Sequence, residues 1–241
     1  MSNINNLNVK IFADGADLKS ILSLYEQPYV KGFTTNPTLM RQVGISDYKS
    51  FALEVLSHIK DRPVSFEVFA DDIAGMEKQA HEIASWAPNV NVKIPITNTK
   101  GESTAELVGR LSDGGVICNV TAIFSLRQLQ GILDVLNPNT PAILSIFAGR
   151  IADTGFDPVP LMEEAVKLAK SKPKSEVLWA SPRELLNIFQ ADQIGCHIIT
   201  VTPDVLKKLS GVGKDLEVFS LETVLMFYND AQAAGYNIEA K

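Results

Sequence analysis

Histidine and cysteine are scarce in this chain of 241 residues, with three and two copies. The histidines, His58, His81 and His197, fall on two predicted helices and at the N-terminal end of a predicted strand. No spacing among them resembles a zinc site, which argues against a metal-dependent or histidine-based enzyme. Cys118 and Cys196 both lie inside apolar runs, where thiols behave as small buried hydrophobes. Two cysteines so placed form no disulfide framework, which points to a reducing cytoplasm. A basic excess is also lacking: the net charge is −6, against the footprint non-specific nucleic-acid binding needs. Apolar stretches are short, 142–148 being among the longest, and no membrane span is expected. The opening residues, MSNINNLN, have neither a basic nor an apolar targeting region, so a cytoplasmic protein is expected. A glycine-rich phosphate loop is missing: FADGAD supplies only Gly15, and GVGK at 211–214 has the wrong spacing and no following Ser or Thr. No Pro/Gly/Ser-rich linker divides the chain, so 1–241 reads as one domain with a polar tail at 1–8.

What is present suffices for a packed core: 46% of the residues are hydrophobic and 21% charged. Short β-branched or aromatic runs recur at 9–13, 30–35, 64–69, 90–94, 116–120, 142–147, 176–180 and 197–201. Between them lie segments of helical period, such as Ile73, Met76, Ala80, Ile83 and Ala84 within 72–86, and similar stripes within 47–60 and 125–136. Eight strand–helix units fit an α/β fold of the (β/α)8 TIM-barrel type, typically about 250 residues, better than a doubly wound open sheet. An additional C-terminal helix is expected over 220–234, apolar around much of its circumference. Such a helix needs cover on more than one side. Two covers are open: a second subunit, making a homo-oligomer, or the bottom of its own barrel.

Alternate side chains of a barrel strand face the interior. With Val92, Ile94 and Ile96 facing helices, Asn91 and Lys93 point inward; by the same parity so do Ser65 and Glu67, Asp14, Asn119, and Ser145 with Phe147. Five strands thus offer inward polar groups near the C-terminal end, where barrel active sites are built. Such groups are costly in a barrel interior unless they pair or do chemistry. Lys93 stands out, flanked by valine, isoleucine and proline. Desolvation lowers a buried lysine's pKa by up to ~3–5 units and so yields a neutral amine able to attack carbonyls. An ionised Asp14 or Glu67 nearby would oppose that shift, and a salt-bridged lysine is the plainer alternative.

Beyond the seventh strand, Ser181-Pro182-Arg183-Glu184 has the pattern of a capping box opening a helix. Free helix N–H groups with Arg183 would cradle an anion, and Arg150, just past strand six, could reach the same place. Simple capping by Ser181, and an arginine paired with Asp153, are the alternatives.

The ordered segments IFADGAD, GFTTNPTL, FEVFA, NVKIPIT, CNVTAIFS, SIFAGRI and WASPR resemble the transaldolase family, including its compact fructose-6-phosphate-aldolase-like members, over about residues 10–210. The resemblance implies a Schiff-base enzyme that needs no metal and no cofactor and acts on sugar phosphates. By it, Lys93 matches the Schiff-base lysine and Asp14 the residue exchanging a proton with the sugar C4 hydroxyl. Glu67 and Thr121 match the pair holding a catalytic water. Asn36, Asn119 and Ser145 match groups orienting the dihydroxyacetone unit, and Arg150, Ser181 and Arg183 the phosphate-binding set. Phe147 stands where hydrolytic members usually carry tyrosine, and Glu67 where they usually carry an amide; both favour transfer over release. Gly15, Trp179 and Pro182 depart from the family pattern, by the resemblance near both ends of the sugar chain, and a sulfonate tail would satisfy the same arginines as a phosphate.

Overall fold

A computed structural model describes residues 6–238; residues 1–5 of the polar tail, and 239–241, lie outside the described residues. Eight strands run β1 Lys10–Asp14, β2 Val30–Thr34, β3 Val64–Glu67, β4 Val90–Pro95, β5 Cys118–Ile123, β6 Ala142–Ile146, β7 Ser175–Trp179 and β8 Ile198–Val201. All pair in parallel with their sequence neighbours, and β1 pairs with β8 to close the barrel. Each strand overlaps an apolar run expected from the sequence, because parallel strands buried on both faces are β-branched and continuous.

The helices are α1 Leu18–Tyr25, α2 Pro37–Gln42, α3 Tyr48–His58, α4 Ile73–Ala84, α5 Ala105–Asp113, α6 Leu126–Val135, α7 Ala148–Ala152, α8 Val159–Ala169, α9 Leu186–Gln193, α10 Pro203–Leu206 and α11 Leu216–Ala233. Several starts are written locally. Asp17, Asn36, Asp47 and Asp72 each accept a backbone N–H three residues on, and Ser125 with Gln128 forms a reciprocal capping box. Each of these caps offsets an orphan N–H, worth about 1 kcal/mol.

Two apolar layers result. The larger lies between strands and helices and includes Val92, Ile94, Leu144, Ile146, Met76 and Leu129. The smaller plugs the barrel interior with Phe12, Ile143, Leu178, Ala180 and Ile198, packed against Phe147. Gly32 on β2 makes room for that plug, since a Cβ there would sit 2.6 Å from the Phe12 ring. Both cysteines are free and buried in the outer layer, and burial pushes each thiol up to about 12.

Two expectations need correction. The helix after β7 opens at Leu186, so Ser181 is not its N-cap and the Ser181–Glu184 capping box does not form. Ser181 instead adopts φ 61°, and the proline that follows disfavours helical backbone at that position. The N–H groups of Arg183 and Glu184 are taken by Asn187 Oδ1, at 2.8 and 3.1 Å, and so are not free to hold an anion. Trp179 does not face the sugar end of the site: it is buried in the outer layer, and among the described residues its Nε1 has no hydrogen-bond partner.

Among the described residues, α11 does not pack into its own barrel. None of its residues is buried, and Leu216, Phe219, Leu221, Phe227 and Tyr228 are all exposed. Among the described residues, no helix is long and apolar enough to cross a membrane.

Candidate active site

Strand parity brings one polar residue after another to the C-terminal mouth of the barrel. Glu67 on β3, Lys93 on β4 and Asn119 on β5 are direct neighbours in register. Asp14 on β1 stands beside Thr34 on β2 in the same way. A cavity of about 500 Å³ opens there. It is lined by the eleven residues to which the family resemblance gave a place in the site: Asp14, Asn36, Glu67, Lys93, Asn119, Thr121, Ser145, Phe147, Arg150, Ser181 and Arg183; the inward Ser65 and Asn91 do not line it.

Lys93 is 7% exposed. Its Nζ lies 3.1 Å from Glu67 Oε2 and donates to the Thr35 carbonyl at 2.8 Å. The amine therefore does not snorkel to solvent. A buried ammonium requires such partners, because an unpaired charge there would cost several kcal/mol, on the order of the desolvation penalty per ion.

Asp14 is held from both sides. Its Oδ1 accepts from the Thr34 hydroxyl at 2.8 Å and its Oδ2 from Asn36 Nδ2 at 3.3 Å. Thr34 Oγ1 in turn lies 2.5 Å from Thr200 Oγ1 on β8. Burial raises the Asp14 carboxyl above the ordinary 3.8; the Lys93 charge and the Thr34 and Asn36 hydrogen bonds pull the other way, and the Glu67 charge adds to the rise. Asn36 also caps α2, its Oδ1 accepting from Leu39 N–H at 3.0 Å. One side chain thus ties the start of a helix to the carboxylate.

A second polar chain crosses the interior. Asn119 Nδ2 donates to Ser65 Oγ at 3.1 Å, and Ser145 Oγ donates to Asn119 Oδ1 at 2.7 Å. All three are buried, so the amide is fixed in one orientation. Thr121 lies on β5 beside Ala122, whose φ of 60° coincides with a register shift between Val120 and Ile123. A non-glycine residue in this left-handed region costs about 1–2 kcal/mol.

The rim is cationic. Arg150 lies over the Phe147 ring, 5.3 Å from its centroid. It is Arg183, not Arg150, that pairs with Asp153, through Nε at 2.9 Å and through Nη2. That guanidinium holds the Asp153 carboxyl below its ordinary range. The Ser181 carbonyl packs against α7 so closely that a Cβ on Gly149 would lie 1.6 Å from its oxygen. Among the described residues, no group of three or more His, Cys, Asp or Glu is placed to hold a metal.

Thr34, Thr200 and Thr202 also line the cavity and were not singled out from the sequence. The alternation of HIITV, which sends Ile198 into the barrel interior, puts Thr200 on the same parity. Thr34 likewise shares parity with Gly32, so both were within reach of the alternation rule.

Known proteins share both the sequence and the fold. The family described as Transaldolase/Fructose-6-phosphate aldolase matches residues 11–240. A "Probable transaldolase" of Dehalococcoides mccartyi is 40% identical over 202 residues, covering 83% of this chain and 90% of that protein. A "Probable transaldolase 2" of Listeria monocytogenes is 34% identical over 223 residues, covering 88% of this chain and 98% of that protein. Among solved structures, KGPDC from Streptococcus mutans superposes with a TM-score of 0.58 at 10% identity, covering 84% of this chain and 91% of that one. A putative phosphonomutase from Burkholderia cenocepacia superposes with a TM-score of 0.55 at 12% identity, covering 94% and 96%. At such identities the structures share the fold alone.

Proposed function

Because the chain belongs to the transaldolase/fructose-6-phosphate aldolase family, we propose that it is a transaldolase moving a dihydroxyacetone unit from a ketose phosphate to an aldose phosphate through a Schiff base on Lys93. The observation that carries this reading is the buried Lys93 amine, held between Glu67 and the Thr35 carbonyl in the cavity that Asp14 also lines.

Glu67 takes the ammonium proton, and the free amine adds to the C2 carbonyl of the ketose. The resulting carbinolamine loses water to give an iminium, with Glu67 and Thr121 holding that water. Asp14 then removes the C4 hydroxyl proton, the C3–C4 bond breaks, and its electron pair flows into the iminium to leave an enamine. The aldose product departs. The enamine attacks the aldehyde of the acceptor, Asp14 returns its proton to the new hydroxyl, and water hydrolyses the iminium to free Lys93. Asn36, Asn119 and Ser145 orient the three-carbon unit, and Ser181, Arg150 and Arg183 receive the anionic tail.

Phe147 lines the cavity with no hydroxyl to offer, which leaves the enamine without that proton donor and favours transfer. The second reading, an aldolase releasing dihydroxyacetone, is tested by turnover of a ketose phosphate without an acceptor. Transfer predicts slow release, and Phe147→Tyr is expected to raise it about tenfold, less than the roughly 100-fold or more of a fully positioned general acid. Borohydride trapping with a ketose phosphate, followed by mass mapping, tests the Schiff base itself. No adduct on Lys93 would reduce the protein to a barrel that merely binds sugar phosphates. We further read the protein as a cytoplasmic homo-oligomer, the bare α11 being its subunit contact.

A further inference from the structure

We propose that Tyr48 is a positioning residue for the Lys93–Glu67 pair, a reading that rests on Lys93 being the nucleophile. The ladder between β2 and β3 is where the pair is set. Phe33 N–H donates to the Pro63 carbonyl at 2.9 Å, and Thr35 N–H to the Ser65 carbonyl at 3.3 Å. In a parallel ladder the next rung would send Glu67 N–H to the Thr35 carbonyl. That rung is replaced. Glu67 N–H donates instead to the Tyr48 hydroxyl at 2.6 Å, and the same hydroxyl donates back to the Glu67 carbonyl at 3.1 Å.

The substitution has a consequence for the amine. With Glu67 N–H satisfied by the phenol, the Thr35 carbonyl is open to accept from Lys93 Nζ, which it does at 2.8 Å. One hydroxyl therefore does two things: it clamps the backbone of the residue whose carboxylate faces Lys93, and it spares the carbonyl that holds Lys93 from the other side. Tyr48 is not among the residues lining the cavity, so it acts through others.

The clamp is itself held in place. Tyr48 opens α3, and its ring lies 4.6 Å from Phe69, 5.9 Å from Trp86 and 6.1 Å from Phe66 between centroids, all edge-on. Burial raises the phenol above its ordinary value, so it stays a neutral hydroxyl able to donate and accept at once. Aromatic packing alone would be served by phenylalanine. The paired bonds to the N–H and the C=O of one residue call for tyrosine.

Tyr48→Phe keeps the ring and removes the hydroxyl. Glu67 N–H is then expected to reclaim the Thr35 carbonyl, and Lys93 to lose an acceptor. Two readouts follow in the full-length protein: kcat falls about tenfold with KM changed less than threefold, and acetylation of Lys93 by acetic anhydride, scored by peptide mass against exposed Lys49, rises severalfold. Trp86→Leu, which disturbs the same aromatic cluster but leaves the hydroxyl, is expected to lower the melting temperature without moving either readout. Should Tyr48→Phe fail to fold, replacement of tyrosine by 3-fluorotyrosine weakens the hydroxyl as an acceptor, and Lys93 acetylation must change there. Wild-type kcat and wild-type Lys93 acetylation in Tyr48→Phe, or in the fluorinated protein, overturn the proposal while leaving a borohydride-trapped Schiff base standing. A shifted acetylation with no trapped adduct in either protein keeps the clamp and overturns the nucleophile.

Discussion

Asp14 carries the clearest conflict between stability and chemistry. Its carboxyl is raised above the ordinary 3.8, chiefly by burial, so the folded protein holds that proton more tightly than the unfolded chain does. The sign follows: folding is favoured below 3.8 and loses that contribution as pH rises through the folded value. Two outcomes are expected. The acid limb of kcat/KM has its midpoint above 3.8, because the proposed C3–C4 cleavage needs the carboxylate. Asp14→Asn drops kcat about 100-fold or more, the lower range of a lost acid–base group, yet melts higher at neutral pH. Each kcal/mol recovered would raise the melting temperature by about 2–4 °C. A lower melting point for that variant would show that the Lys93 charge and the two hydrogen bonds outweigh burial. Trp179 is a contrasting buried polar group: among the described residues its Nε1 has no partner, and nothing in the structure explains it.

Between elements, α7 comes into tight backbone contact with the turn after β7. The Ser181 carbonyl lies where a Gly149 Cβ would be, and the contact is backbone, which cannot swing aside. Gly149→Ala is therefore expected to cost about 1–3 kcal/mol, the range for overpacking. It should also raise KM severalfold for phosphorylated ketoses while leaving dihydroxyacetone itself little affected, because the displaced turn carries Ser181 and Arg183, the proposed partners of the anionic tail. Equal losses with both substrates would place the effect elsewhere. At the other end of the chain, α11 exposes Leu216, Val218, Phe219, Leu221, Val224 and Phe227 together, a larger apolar surface than scattered exposed residues would make. Light scattering is expected to return a mass of several subunits, and Phe219→Glu with Phe227→Glu a smaller one. A monomeric wild-type protein would remove α11 as a subunit contact.

At the scale of the whole barrel, a second titrating group lies away from the cavity. At the end opposite the cavity, His197 Nδ1 accepts from Val177 N–H at 3.0 Å near the Lys10–Glu176 pair. Burial, aided by Lys10 and opposed by Glu176, lowers the His197 imidazole below its ordinary 6.5. A histidine of this kind stabilises the fold above 6.5, and that contribution fades as pH falls through the folded value. Chemical denaturation at stepped pH should show stability falling below about 6.5. His197→Gln should flatten that slope without moving the acid limb of catalysis. A slope unchanged in the variant would assign it to other groups.

The barrel and most of its candidate site were legible in the primary structure because both depend on alternation. Val92, Ile94 and Ile96 must face the helices, so Lys93 has only the interior left, and the same parity places Glu67, Asn119 and Ser145 without any coordinates. Thr200 on β8 obeys the rule too. Other features do not reduce to parity. Ser181 looked like a helix cap because the residues that cap helices also build turns; its φ of 61° and the capture of two N–H groups by Asn187 arise only when the turn meets α7. Which arginine pairs with Asp153, and which rung of the β2–β3 ladder gives way to Tyr48, depend on contacts between segments distant in the chain. Local pattern determines which face a residue presents, since a strand has just two; what meets that face is set by the packing of the whole barrel.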